Sequence, residues 1–156
     1  MDVKTLLAGR GVRLWDVTQI VYEVQKSYLP NLTMADCLES VEAVLSKREV
    51  QNVLYTGVAL DQLAEQNLLP EPLQLRITSD HALFGVDEVL ATGITNMYGT
   101  IGFTNFGYLD KLKTGIIGRL HQDQVQVDGR VNTFLDDLVA AVAASAAARL
   151  AHTWTY

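Results

Sequence analysis

Apolar residues recur at three- and four-residue intervals along almost the whole chain, the spacing of helices that bury one face. Val17, Ile20, Val21, Val24 and Tyr28 form one such run, and Pro30 closes it. Thr33 and Asp36 have the spacing of a capping box, and the helix they open runs to about Leu45. Ser46 and Glu49 repeat that spacing ahead of Val50, Val53, Leu54, Val58, Leu60 and Leu63. Pro70 and Pro72 mark a boundary, with a short helix from Pro72 to about Thr78. A further helix is predicted from Val86 to about Tyr98, with Val89, Leu90, Ile94 and Met97 on its apolar side. Gly99, Gly102 and Gly107 predict a loop from about Thr100 to Asp110, followed by a short helix over Thr114 to His121. Asp128-Gly129 signals a turn, and the last helix starts near Asn132 or Thr133 and reaches about His152. There are no convincing strand pairs or repeats. The pattern predicts an all-α protein, one multi-helix bundle spanning residues 1–156.

The last helix has two small faces. Ala140, Ala144 and Ala148 recur every four residues, as do Ala143, Ala147 and Ala151. Such faces let backbones approach closely, either inside a tight bundle or between copies of a homo-oligomer, and an oligomer is expected on this ground and from the apolar content.

Composition narrows the function classes. At 156 residues, 49% hydrophobic and 19% charged, the chain can bury one sizeable core. A net charge of -6 argues against nucleic acid, which calls for a basic footprint, and gives no attraction to anionic lipid. Cys37 is the sole cysteine, so an intrachain disulfide and a cysteine-rich zinc site are excluded, and a small buried side chain is expected there. The N-terminus lacks the apolar stretch of a secretory signal. The uncharged run Leu138 to Ala148 falls short of the ~20 residues of a membrane span. A cytoplasmic protein without a transmembrane segment is expected.

Candidate chemistry lies in the acids of the second half: Asp80, Asp87-Glu88, Asp110 and Asp136-Asp137. Both adjacent pairs are embedded in apolar helix-like stretches, Phe84 to Leu90 and Thr133 to Val139. Burying unpaired carboxylates is costly, so such groups must neutralise, pair or bind a cation. Oxygen ligands suit a hard divalent ion, which points to magnesium and phosphate. Neighbours on a helix point about 100° apart, so one acid of each pair can face a site while the other faces elsewhere. Lys111 and Lys113 follow Asp110 closely enough for either to meet phosphate oxygens, and His81 follows Asp80 as a candidate proton carrier. The competing explanation is a helix-dipole role for each pair, since carboxylates favour first turns. It leaves unexplained the recurrence of two pairs with a third acid on a glycine-rich loop.

These residues also carry a resemblance. The stretch from Asp80 to Glu88 resembles the Asp-Glu segment of the phosphatidylglycerophosphatase A family. Asp110-Lys111-Leu112-Lys113-Thr114 is similar to its Asp-x-x-Lys-Pro segment, and Phe134 to Ala141 to its closing Asp-Asp helix. The three motifs fall in the family's order within residues 79 to 150. The whole chain, including Leu45 to Asn52, resembles the soluble Gram-positive branch, the low-temperature-requirement C proteins. The resemblance implies magnesium-dependent removal of the terminal phosphate from phosphatidylglycerophosphate. Asp87, Glu88, Asp110, Asp136 and Asp137 would form the acidic cluster, Asp80 would be accessory, and Lys113 would face the phosphate. Thr114 departs from the family proline, and Ala91 and Ala141 stand at typical glycine positions. Membrane-embedded members have spanning helices where this chain has a helical half with no such span, which leaves a peripheral encounter with phospholipid or a soluble phosphate ester as the substrate alternatives. A helical nucleotide pyrophosphohydrolase is disfavoured by the lack of Glu-x-x-Glu pairs. A non-catalytic, metal-binding helical oligomer is the remaining alternative.

Overall fold

The computed structural model describes residues 1–156 as nine α-helices and one 3₁₀ turn, with no strand. The all-α, single-core expectation is met. In chain order the helices are α1 (Val3–Gly9), α2 (Leu14–Gln25), α3 (Met34–Leu45), α4 (Arg48–Glu65), α5 (Leu73–Thr78), α6 (Val86–Thr95), α7 (Gly99–Leu112), α8 (Gly115–Gln126) and α9 (Leu135–Thr153). The 3₁₀ turn Asn96–Tyr98 joins α6 to α7.

The fold is organised around α9. Every residue from Val131 to Ala148 is buried, and α2, α3, α4, α6, α7 and α8 all pack on this one helix. Its alanine content explains both properties: alanine is the strongest helix former, and methyl side chains let six neighbours approach. At the α4 crossing, a Cβ on Gly57 would collide with Leu138 and press on Phe134. Two buried polar side chains reach α9 carbonyls, the Gln25 amide donating to Ala147 O at 3.0 Å and the Ser40 hydroxyl to Ala146 O at 2.8 Å. The small faces of the last helix are thus filled by the chain's own helices, and they give no ground for expecting an oligomer.

Local signals were met unevenly. The Thr33–Asp36 capping box forms in full. The Ser46–Glu49 box does not: Lys47 is the N-cap without a side-chain bond, and the Ser46 hydroxyl donates back to Ala43 O. On α6 the buried stripe is Asp87, Ala91, Ile94 and Thr95, whereas Val89 is 70% exposed. The largest correction concerns residues 99–112, expected mostly as loop, which are helix α7. Gly102 faces Ala148 at close packing distance, and Gly102, Phe106 and Leu109 make the buried stripe. Helical glycines cost about 1 kcal/mol each, and packing along α9 outweighs that here. α8 also runs further than expected, to Gln126. Cys37 is fully buried, as expected of a packing residue, and burial pushes its thiol up to about 11.

Candidate functional site

One end of the bundle brings together the start of α6, the end of α7 and the start of α9. Gly85, at φ +79°, turns the chain into α6, so Asp87 and Glu88 occupy its first turn. Asp87 is buried while Glu88 is exposed, the division expected of neighbours 100° apart. Asp110 lies in the last turn of α7, not on a loop. Lys113 caps that helix in the left-handed region, at φ +50°, and its N–H donates to Leu109 O at 2.8 Å. Gly118 lets α8 fold back against this corner, since a Cβ there would collide with the Lys113 carbonyl. Thr114, in the place of the family proline, has φ -79° and ψ 155°, a conformation proline itself favours. Asp136 and Asp137 are both buried in the first turn of α9. Phe84 packs edge-on against Phe134 with ring centres 5.9 Å apart, which ties the loop before α6 to the start of α9.

The Lys113 ammonium stands between two of these helices, 3.3 Å from Asp110 Oδ1 and 3.4 Å from Asp136 Oδ2. Burial pulls its pKa down, but Asp136, Asp110 and Asp137 outweigh burial and hold it above the ordinary value. Asp137 is raised far above the carboxylate range, by burial first, then by contact with Asp110, the charge of Asp136 and contact with Asp87. Asp136 is raised chiefly by burial, against the pull of Lys113. Glu88 is raised by burial, then by Asp110 and Asp87. Asp80 sits at the rim on an exposed residue; desolvation of its carboxyl and the charge of Asp87 raise it, while His121 and Lys113 oppose. All six predicted acids and Lys113 therefore share one electrostatic cluster. His81 is exposed, and it is His121 of α8 that stands beside Asp80.

Six carboxyl groups facing a single ammonium form a hard, oxygen-only donor set with excess negative charge, the chemistry that suits magnesium. As arranged, no three of them are spaced to enclose one ion. The Lys113 and Asp110 side chains at the edge of the cluster are partly exposed. A recess of about 290 Å³ beside the cluster is walled by Thr78, Ser79, Asp80, His121, Gln124 and Val125. A larger groove, about 800 Å³, is elsewhere, between α2, α7 and α8. Its wall includes Tyr108 and Leu112, each two residues from Asp110 and so on the opposite side of α7.

A model of the family described as phosphatidylglycerophosphatase A matches residues 14–152, from α2 to α9. The chain belongs to the phosphatidylglycerophosphatase A family. The uncharacterized protein YpjQ of Bacillus subtilis is 54% identical over 150 residues, covering 96% of this chain and 82% of that protein. YutG of the same organism, also uncharacterized, is 52% identical over 143 residues, covering 92% and 84%. The crystal structure of low temperature requirement C protein from Listeria monocytogenes superposes with a TM-score of 0.90 at 50% identity, covering 96% of this chain and 92% of that one. These relatives agree with the Gram-positive, low-temperature-requirement C branch of the family expected from the resemblance of the whole chain. The family match also takes in α2 to α5, which none of the three acidic motifs touches.

That earlier half contributes what the motifs did not reveal. Asp61 of α4 is fully buried, and its two carboxylate oxygens accept the backbone N–H groups of Phe134 and Leu135, each at 3.0 Å. Burial pushes Asp61 up to about 8, against those two N–H groups and Arg10. Arg10 binds Glu65 through two bonds of 3.1 and 2.7 Å and reaches Val131 O at 2.7 Å. Gln124 accepts from Asn132 N at 2.7 Å, and the Thr133 hydroxyl donates to Ile77 O at 2.6 Å. A legible signal for Asp61 existed: it interrupts the apolar stripe Val50, Leu54, Gly57, Val58 and Ala64 of α4.

Proposed function

We propose that this chain is a magnesium-dependent phosphomonoester hydrolase whose substrate is phosphatidylglycerophosphate. The observation that supports it most is the convergence of acids from α6, α7 and α9 around Lys113 at one end of the bundle. Asp87, Asp110, Asp136 and Asp137, with Glu88 and Asp80 at the rim, would hold magnesium there, and the ion would supply neutralisation of phosphoryl charge and activation of water. Lys113, released from Asp110, pairs with phosphate oxygens, and the positive N-terminal ends of α6 and α9 add to the attraction. Water adds to phosphorus, the ester P–O bond breaks, and the glycerol oxygen leaves with a proton. Asp80, solvent-accessible beside His121, is placed to exchange protons with bulk water.

Leu83, Val86 and Val89 are 102%, 49% and 70% exposed and flank Asp87 and Glu88, an apolar rim suited to an ester with a hydrocarbon tail. No helix is long and apolar enough to cross a membrane, and in this reading the encounter with phospholipid is peripheral. A second reading, a soluble phosphate ester, is favoured by the net charge of -6, which gives no attraction to anionic bilayers. Phosphate release from phosphatidylglycerophosphate in mixed micelles and from glycerol 3-phosphate, each with magnesium and with EDTA, separates the two. Magnesium-dependent release from the lipid alone supports the proposal, and release from glycerol 3-phosphate alone supports the second reading. Release from neither, by protein that binds magnesium, contradicts both and leaves a structural metal.

A further inference from the structure

The first turn of α9 carries two buried acids that must meet Asp87 and Asp110, yet α9 has no side-chain cap of its own: Phe134 stands at its N-cap and makes no such bond. The cap comes from another helix, through the two bonds from Phe134 N and Leu135 N to Asp61. Leu135 and Asp136 are adjacent, so any change in the Leu135 backbone is passed directly to Asp136 and Asp137. Helix α4 is itself seated closely on α9 at Gly57, one turn before Asp61. The depth of α9 and the rotation of its first turn are thus referred to α4.

We propose that Asp61 is a positioning residue of the acidic site: by holding the Phe134 and Leu135 N–H groups it sets the first turn of α9, and with it Asp136 and Asp137, in register with Asp87 and Asp110. The proposal rests on the reading of those acids as a metal site and assigns to the N-terminal half a part in that site. Both carboxylate oxygens of Asp61 are engaged by backbone N–H groups, so it acts through the α9 backbone. Supporting residues one step removed from ligands typically change metal affinity by roughly 10–100-fold when altered, and Asp61 belongs in that range.

The test compares the wild type with Asp61→Asn and Val41→Ala. Asparagine keeps one acceptor but turns an amide donor toward the other backbone N–H. Val41 is fully buried on α3, so its truncation weakens the core away from the first turn of α9. Manganese affinity by calorimetry, urea midpoints and amide hydrogen exchange at residues 134–137 are measured on each. Asp61→Asn is expected to lower manganese affinity by about 10-fold or more and to speed exchange at Asp136 and Asp137 beyond what its urea midpoint explains. Val41→Ala is expected to lower the midpoint alone. If Asp61→Asn does not fold, Asp61→Ser, which keeps one acceptor without the amide donor, takes its place. A folded Asp61 variant with wild-type manganese affinity overturns the proposal. If the wild type binds no manganese, the metal reading fails, and exchange decides the positioning role: local acceleration at Asp136 and Asp137 supports it, and its absence overturns it.

Discussion

The two parts of α9 make an instructive contrast. From Ala140 onward the helix is buried among apolar neighbours, and its packing depends on methyl groups and small volumes. Its first turn is buried just as completely, yet it holds Asp136 and Asp137 and is surrounded by Asp61, Asp87, Asp110 and Lys113. One helix therefore serves as packing core along most of its length and as a charged site at its start. Burial alone does not distinguish these roles. What does is whether the neighbouring elements supply partners: α2 and α3 offer amide and hydroxyl donors to carbonyls, whereas α6 and α7 offer further acids. Carboxylates that repel one another inside a core call for a partner that offsets the repulsion, and in the function proposed above that partner is a cation.

The contrast can be broken most sharply at Asp137. Asp137→Asn is expected to lower magnesium affinity by more than about 100-fold, beyond the loss of a merely supporting residue, and to raise the metal-free urea midpoint. The same substitution thus has opposite effects on binding and on stability, as calorimetry and unfolding will show.

The next effect is one of pH. Asp61 is raised to about 8, and Asp136, Asp137, Asp80 and Glu88 are also raised, mainly by burial. Such groups hold more protons folded than unfolded, so the metal-free protein loses stability as pH rises from the ordinary carboxylate range near ~4 toward about 8. Magnesium at about 100 times its dissociation constant should restore roughly 2.7 kcal/mol, with a greater rise in Tm at about pH 8 than at about pH 5, since protons compete with the ion. Calorimetric scans across pH with and without magnesium check this.

A smaller effect is expected in the packing part. Ala144→Leu overfills a fully buried position and should cost about 1–3 kcal/mol while leaving magnesium affinity of the folded protein unchanged. Smallest is Thr114→Pro: the backbone there already has φ -79°, so the urea midpoint should move by less than the equivalent of about 1 kcal/mol. A larger loss would show that the left-handed backbone of Lys113 does not accept a following proline.

The fold class, the Thr33 cap, most helix bounds and all six clustered acids were legible in the sequence because each has a local signature: a periodicity, a cap pair or an acid amid apolar neighbours. Helix α7 was not, because its glycines read as loop until α9 is present to fill the space they leave. Val89 was misplaced because α6 turns Asp87, not its valine, toward the core. Asp61 and His121 escaped because their roles depend on partners more than 70 and about 40 residues away, respectively. In the first half, Asp61 amid the apolar stripe of α4 is the one such signal, and it does not show its partners, which are backbone N–H groups of the second half.

The most direct test of a cation site at the start of α9 is anomalous scattering from crystals equilibrated with manganese, a magnesium substitute that can be seen. The account predicts a peak bounded by carboxylate oxygens of Asp87, Asp110 and Asp137, with Lys113 moved off Asp110. A peak elsewhere, or none at saturating manganese with Lys113 still between Asp110 and Asp136, would contradict it.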